Sequence, residues 1–251
     1  MLYDRSNDVK KGCFFVDQSK KHGLSATALR LFAMVGMLLD HAWATVVPGN
    51  FWMTCVGRLV FPIYAFQLVE GFFHTHDRKA YAKRLLIFAL ISEIPFNYMM
   101  AGGWLFPFHQ NTIFTLLLGF LAIWLLETRT QRKGWKTALL LLGILLVSMV
   151  GFVDYGWQGL LTVVTFYVFR EGKYAKVGQL ACMLYLHAFL MEGQTLPWLF
   201  DLPLQSFAVL ALIPIWLYNG QKGRGGKAMQ MAGYLYYPLH MVALIILRRV
   251  I

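Results

Sequence analysis

Three ionisable side chains, Arg30, Asp40 and His41, interrupt the otherwise mostly apolar stretch Thr27 to Val47, TALRLFAMVGMLLDHAWATVV. A run of this length can cross a bilayer as a helix, and charged groups inside such a helix are costly enough to mark a functional site. The offset from Arg30 to His41 is close to three helical turns, so both project from roughly one face, about 16 Å apart along the axis. Histidine is the side chain whose ordinary pKa suits base catalysis near neutrality. At His41 it can take the proton of an attacking amine or hydroxyl, or act as a nucleophile itself. Arg30 suits a phosphate, held by bidentate, charge-assisted hydrogen bonds, or serves as a snorkelling anchor at the helix start.

Asp40 points about 100° away from His41 and needs a different partner. Arg58, about 10 Å along the next apolar segment, lies at the same depth. A buried Asp40 to Arg58 ion pair would brace the first two segments; alternatively, Arg58 polarises the oxygen of a reacting group. Glu93, midway along the third segment, is a second candidate for acid/base or orienting chemistry, with Arg58 or His41 as its partner. His240, about 18 Å along the last segment, is again level with His41.

The elements that must position these groups follow from hydropathy. The chain has 251 residues, 58% hydrophobic and 14% charged, with a mean hydropathy of +0.55. Those values describe an integral membrane protein, not a soluble domain. Apolar segments near 27–47, 51–73, 84–100, 111–127, 137–153, 157–170, 176–191, 203–218 and 228–247 predict an all-α bundle of about nine transmembrane helices. Organisation is expected as a cytoplasmic tail over 1–26 and one membrane domain over 27–251.

The net charge of +11 would point to nucleic acid in a soluble chain, but its placement has another cause. Lys and Arg gather in the tail (Arg5, Lys10, Lys11, Lys20, Lys21) and in the even-numbered connections, while the odd-numbered ones carry none. By the positive-inside rule this places the N-terminus in the cytoplasm of a bacterial-type inner membrane, with anionic lipid and not nucleic acid as the partner of the charge. Arg248 and Arg249, at the C-terminal end, are discordant with that count. Cys13, Cys55 and Cys182 are too scattered for a disulfide framework or a zinc site. The polar first 25 residues contain no apolar stretch of a cleavable signal. His74 and His76 lack a third ligand, so no metal is expected.

Among the remaining polar residues, Asn111 and Thr115 share one helix face, where they can bond a substrate or join helices. Pro62 is placed to kink the second helix. His187 reads as structural.

The spacing of Arg30 and His41 resembles the R-x10-H signature of membrane-bound acyltransferases. GRLVFPIYAFQLVEGFFHTHDRKAYAKRLLIFALISEIPFN at 57–97, NTIFTLLLG at 111–119, DYGWQG at 154–159, YLYYPLH at 234–240 and LLDH at 38–41 resemble the TraX family, typified by a conjugal-transfer pilin N-acetylase. The resemblance runs from about Ala26 to the end of the chain. It implies transfer of an acetyl group from acetyl-CoA to an amine or hydroxyl acceptor, either the N-terminus of a membrane-inserted peptide or an envelope sugar. Arg30 would then hold the coenzyme A pyrophosphate, since the pantetheine arm spans on the order of 15 Å, similar to the axial rise from Arg30 to His41. Arg78, Lys79, Lys83 and Arg84 form the natural place for its 3'-phosphate, or an ordinary positive-inside loop. Asp154 and Tyr155, in the family-like DYG stretch, and Tyr237 are expected at the acceptor; an acidic Asp154 suits a cationic amine. The rival reading is a proton-coupled transporter in which Asp40, His41, Arg58, Glu93 and His240 form a relay. The absence of repeated halves in the sequence counts against it.

Overall fold

The computed structural model describes residues 22–128, 134–191, 193–196 and 201–250. The basic tail up to Lys21, Cys13 and the cluster Arg129, Arg132 and Lys133 lie outside the described residues. In chain order the helices are α1 (Ala26–Thr45), α2 (Phe51–Gly57), α3 (Val60–His74), α4 (Arg78–Ala101), α5 (Thr112–Glu127), α6 (Gly134–Val150), α7 (Gly156–Val168) and α8 (Ala175–Leu184), which runs on into a π-helical turn, Tyr185–Leu190. A two-stranded hairpin follows, β1 (Thr195–Leu196) against β2 (Leu202–Pro203), then a 3-10 segment Leu204–Ala211, α9 (Leu212–Trp216) and α10 (Gly226–Val250). The structure is thus an all-α bundle, and its helices fall on the apolar segments of the sequence.

Two segments differ in detail from continuous helices. The second is broken at Arg58 and Leu59 into α2 and α3. Pro62, the third residue of α3, has no N–H to give the Arg58 carbonyl one turn earlier and its ring crowds that oxygen, so the kink expected of it falls at this break. The segment near 203–218 winds first as 3-10 and then as the short α9.

Local sequence explains the other boundaries. Ser25, Asp77 and Asn111 cap α1, α4 and α5 with side-chain oxygens that accept from Ala28, Ala80 and Ile113 N–H. Gly102, at φ 74°, ends α4 in the left-handed conformation that glycine adopts without penalty.

The distribution of polarity is that of a protein in lipid. Helix α6 buries Thr137 and Ser148 while exposing Leu139, Leu142, Leu146, Val147 and Val150. Helix α4 exposes Leu86, Leu90, Ile91 and Ile94 and buries Ser92 and Asn97. In water such faces would be reversed; in a bilayer the apolar side chains face the acyl chains and the small polar ones join helices. Three helical stretches, Phe51–His74, Arg78–Ala101 and Ala228–Val250, are long and apolar enough to cross a membrane, with several shorter apolar helices beside them.

The core gathers Leu29 and Ala33 of α1, Ile63, Leu68 and Phe72 of α3, Phe120 and Ile123 of α5, Val163 and Phe166 of α7, and Met241 of α10. Helix α1 packs against α2, α3 and α10, and α4 against α5 and α10. Two short parallel bridges pin the connections: Leu24 to Tyr218, and Gln110 to Val153.

Candidate active site

A cavity of about 410 Å³ opens among α1, α2, α3, α4, α5 and α10, bounded by the loop before α5 and the loop before α7. That volume lies in the range of small-molecule sites, roughly 300 to 1,000 Å³. Arg30, Asp40, His41, Arg58, Asp154, Tyr155 and Tyr237 all line it. Because α1 is one unbroken helix, Arg30 and His41 lie about three turns apart on the cavity wall.

His41 is held from behind by His240. The two rings stack with centroids 4.9 Å apart, and His41 Nδ1 lies 2.7 Å from His240 Nε2. His240 Nδ1 in turn lies 2.8 Å from the Tyr236 carbonyl oxygen. A carbonyl only accepts, so His240 Nδ1–H donates to it and, in the neutral ring, Nε2 is left as an acceptor. His41 Nδ1–H then donates to His240 Nε2, and the lone pair of neutral His41 resides on Nε2. Among the described residues nothing hydrogen-bonds to that atom.

The Asp40 to Arg58 ion pair is present, with Arg58 Nη2 donating to Asp40 Oδ2 over 2.5 Å. Gly57 permits this approach: a Cβ there would collide with the Asp40 side chain, 2.6 Å from Oδ1. Asp40 Oδ1, Arg58 Nε and Trp43 Nε1 have no hydrogen-bond partner among the described residues, and all three residues line the cavity. Buried polar atoms left open around a cavity are those that a polar ligand can satisfy.

Glu93 does not join this group. It pairs neither with Arg58 nor with His41 but accepts from Asn111, through Nδ2 at 2.6 Å and the backbone N–H at 3.1 Å. Asn111 also donates to the Ala89 carbonyl, and Thr115 donates to the Asp154 carbonyl. All three are outside the cavity lining and tie α4, α5 and the α7 approach together; the start of α5 requires this, since its capping side chain is also its brace. The basic run of α4 is likewise outside the lining. Arg78 stacks on Phe72 and Arg84 on Tyr81, at 4.1 and 5.4 Å from the ring centroids, while Lys79 and Lys83 are exposed. Tyr81 does line the cavity, and Arg84 touches it only through that ring. His187 is fully buried between Thr162 and Gln205.

The sequence gives no signal for His109, which the structure brings to the cavity in the loop before α5. Its Nε2 faces Asp154 Oδ1 at 3.4 Å. The Gln110 to Val153 bridge sets this register, with Gln110 N donating to the Phe152 carbonyl and Asp154 N donating to the Gln110 carbonyl. Thr112 Oγ1 and the Tyr155 backbone N–H complete the cradle of the Asp154 carboxylate. Tyr155, at φ 63°, is a non-glycine residue in the left-handed region, held by stacking on Phe61 with centroids 4.1 Å apart. His109 and Asp154 lie in connections outside the spans. The Asp154 hydrogen bond holds the His109 imidazole above its ordinary range, against the effect of burial. Burial alone would push the Asp154 carboxyl up, but His109, Thr112 and the Arg58 guanidinium hold it below the usual carboxylate range. Among the described residues no cluster of three or more His, Cys, Asp or Glu converges as a metal site would. Thr112, Trp43 and Tyr236 are further site residues that no spacing argument finds.

Fold and site together define a helical membrane protein with a largely apolar cavity into which a few charged and polar side chains converge, among them one of a pair of bonded histidines. The family model described as TraX protein matches residues 25–248, and the chain belongs to the TraX family. It is 29% identical over 243 residues to the probable fimbrial assembly protein FimC, serogroup H1, of Dichelobacter nodosus, a match covering 90% of this chain and 96% of that relative. It is 32% identical over 162 residues to Protein TraX of Escherichia coli, covering 62% of this chain and 61% of that relative. No solved structure matches.

Proposed function

We propose that the protein is a membrane-embedded acyltransferase that moves an acetyl group from cytoplasmic acetyl-CoA to an amine or hydroxyl acceptor. The observation that carries this reading is the bonded histidine pair: it leaves the lone pair of His41 Nε2 at the cavity that Arg30, without a carboxylate partner among the described residues, also lines. His41 Nε2 removes the acceptor's proton as it attacks the thioester carbonyl. His240 orients the ring and accepts from Nδ1, which keeps the lone pair on the cavity side. The open donors Trp43 Nε1 and Arg58 Nε are available to the oxygen that becomes negative, the interaction that gains most in a site shielded from water. Arg30 takes a phosphate of coenzyme A, and the cavity admits the thioester arm while the nucleotide stays outside, toward Arg84.

The basic connections put the Arg30 end on the cytoplasmic side of the inner membrane, where acetyl-CoA is available. One relative bears a fimbrial assembly name, and a small membrane-inserted subunit peptide presenting its N-terminal amine is an acceptor of matching location. An envelope glycan hydroxyl is the alternative acceptor. A proton relay fits less well, because the histidine chain ends on the Tyr236 carbonyl, with no titratable group beyond it in the hydrogen-bonded path.

The test is acetyl-CoA binding and turnover by the purified protein in nanodiscs. Arg30→Ala loses binding, Arg30→Lys does not restore a bidentate phosphate contact, and His41→Ala binds without turning over. Full acetyl transfer by folded His41→Ala protein overturns the reading.

A further inference from the structure

The cavity holds two histidines in opposite electrostatic settings. His41 is bonded to another imidazole and has no carboxylate hydrogen-bonded to it. His109 is paired with a carboxylate, and that carboxylate is held by three groups, Thr112 Oγ1, the Tyr155 N–H and His109 itself, while Thr115 donates to the backbone carbonyl of the same residue. Helix alternation places both loops, before α5 and before α7, at the His41 end of α1, away from Arg30. The edge of the His109 ring packs against Phe96, centroids 5.2 Å apart. Its Nε2 is directed at Asp154, so Nδ1 is the atom left over, and among the described residues nothing hydrogen-bonds to it. The charged and titratable groups around this pair are Glu93 on α4, Arg58 after α2, His41 on α1, Tyr155 before α7 and Tyr237 on α10; Asp154 and Glu93 favour an imidazolium at His109, and Arg58 acts on Asp154. Where one site pushes two titratable groups of the same type apart, the acid and base roles are divided between them.

Acyl transfer from a thioester has two proton demands, one at the attacking atom and one at the departing sulfur. A thiolate leaving into a cavity shielded from water is a poorly solvated anion, so a donor at that point lowers the barrier. We infer that His109 is a second catalytic residue, the general acid that delivers a proton from Nδ1 to the departing sulfur, with Asp154 as its positioning residue. This rests on the acyltransferase reading. The new bond from acceptor nitrogen or oxygen to the acyl carbon forms as the acceptor's proton passes to His41 Nε2. The carbon–sulfur bond breaks, its electron pair stays on sulfur, and sulfur takes the His109 proton. Imidazolium His41 and neutral His109 then reset by passing one proton through water in the emptied cavity, so the cycle consumes none.

The experiment compares two donors in nanodisc-embedded protein: acetyl-CoA, whose alkyl thiol needs protonation, and an acetylated aryl thiol, whose thiolate leaves unassisted. His109→Gln lowers acetyl-CoA turnover by about 10²-fold or more but leaves the aryl thioester nearly untouched, whereas His41→Ala loses both. Asp154→Asn moves the alkaline limb of the acetyl-CoA pH–rate profile to lower pH, because an imidazole without its carboxylate loses its proton earlier. Equal loss of both donors in folded His109→Gln protein, unchanged acetyl-CoA turnover, or an unmoved alkaline limb in Asp154→Asn overturns the acid role while leaving the parent reading intact. Turnover of neither donor by the unsubstituted protein overturns both.

Discussion

His41 and His240, 199 positions apart in the chain, share a hydrogen bond of 2.7 Å that joins α1 to α10. The bond fixes more than distance. Because His240 is committed to the Tyr236 carbonyl, it can only accept from His41, and the neutral His41 ring, part of the cavity wall, is held in one tautomer with its lone pair on Nε2.

The first prediction follows from that direction of bonding. His240→Phe preserves the aromatic packing against Tyr236 and Tyr237 but removes the acceptor, so the His41 ring loses its enforced tautomer. Turnover falls by roughly the 10² to 10⁴ range of acid/base effects, with acetyl-CoA affinity little changed. Steady-state kinetics with direct binding by calorimetry separates the two; weaker binding without a fall in turnover would contradict the orienting role.

A second prediction concerns the neighbouring ion pair. Asp40 and Arg58 are both mostly shielded, with side-chain exposures of 16% and 23%. Asp40→Asn or Arg58→Ala alone leaves one charge without its partner and lowers stability, by roughly 3 kcal/mol for the low end of buried-pair disruption. Replacing both by apolar residues of similar size, Asp40→Leu with Arg58→Met, recovers much of the loss, since neither charge is then stranded. Thermal unfolding of single and double variants in detergent closes the cycle. Additive losses would mean that the pair is not coupled in the folded protein.

The same contact depends on a residue with no side chain. A Cβ at Gly57 would overlap the Asp40 carboxyl group, so Gly57→Ala must push α2 away from α1 or turn Asp40 out of the pair. A cost of about 1 to 3 kcal/mol is expected for such overpacking. In an Asp40→Gly background, which removes the Asp40 Cβ, 2.3 Å from the built methyl, together with the carboxyl group, the substitution should cost much less, and a melting-temperature comparison of the two backgrounds reads this directly.

These relationships show which parts of the molecule hydropathy and helical phase make legible. The helix positions, the shared face of Arg30 and His41, the common depth of His41 and His240 and the Asp40 to Arg58 pairing all follow from rise per residue along regular helices. The break at Arg58 and Leu59 follows from Pro62 one turn on, which leaves the Arg58 carbonyl without its helical donor, whereas the close fit of Gly57 against Asp40 is visible only in the structure. Glu93 has the right depth for Arg58, yet depth says nothing of direction around the helix axis, and its carboxylate turns to the Asn111 cap. His109 lies in a loop without periodicity, and its partner, 45 positions away, is fixed by a bridge between two connections.

The fourth prediction is a pH dependence of stability carried by that loop pair. His109 has a folded-state pKa raised above its ordinary 6.5 by Asp154, so its contribution is fully present below that value and is lost as pH rises through the folded pKa. Asp154 has a folded-state pKa held below its ordinary 3.8, so its contribution is present above that value and is lost as pH falls through the folded pKa. Both contributions are complete only between those two ordinary values, and the loop junction is therefore most stable in mildly acidic solution. Hydrogen exchange at the Gln110 and Asp154 amides, which form the bridge between the two loops, reads the junction locally. After correction for the intrinsic pH dependence of exchange, protection should fall as pH rises from the ordinary 6.5 through the raised His109 pKa, while in His109→Gln protein it should be flat across that range. Identical pH profiles in the two proteins would show that the histidine and carboxylate do not couple, and that the register of the loops rests on the backbone bridge alone.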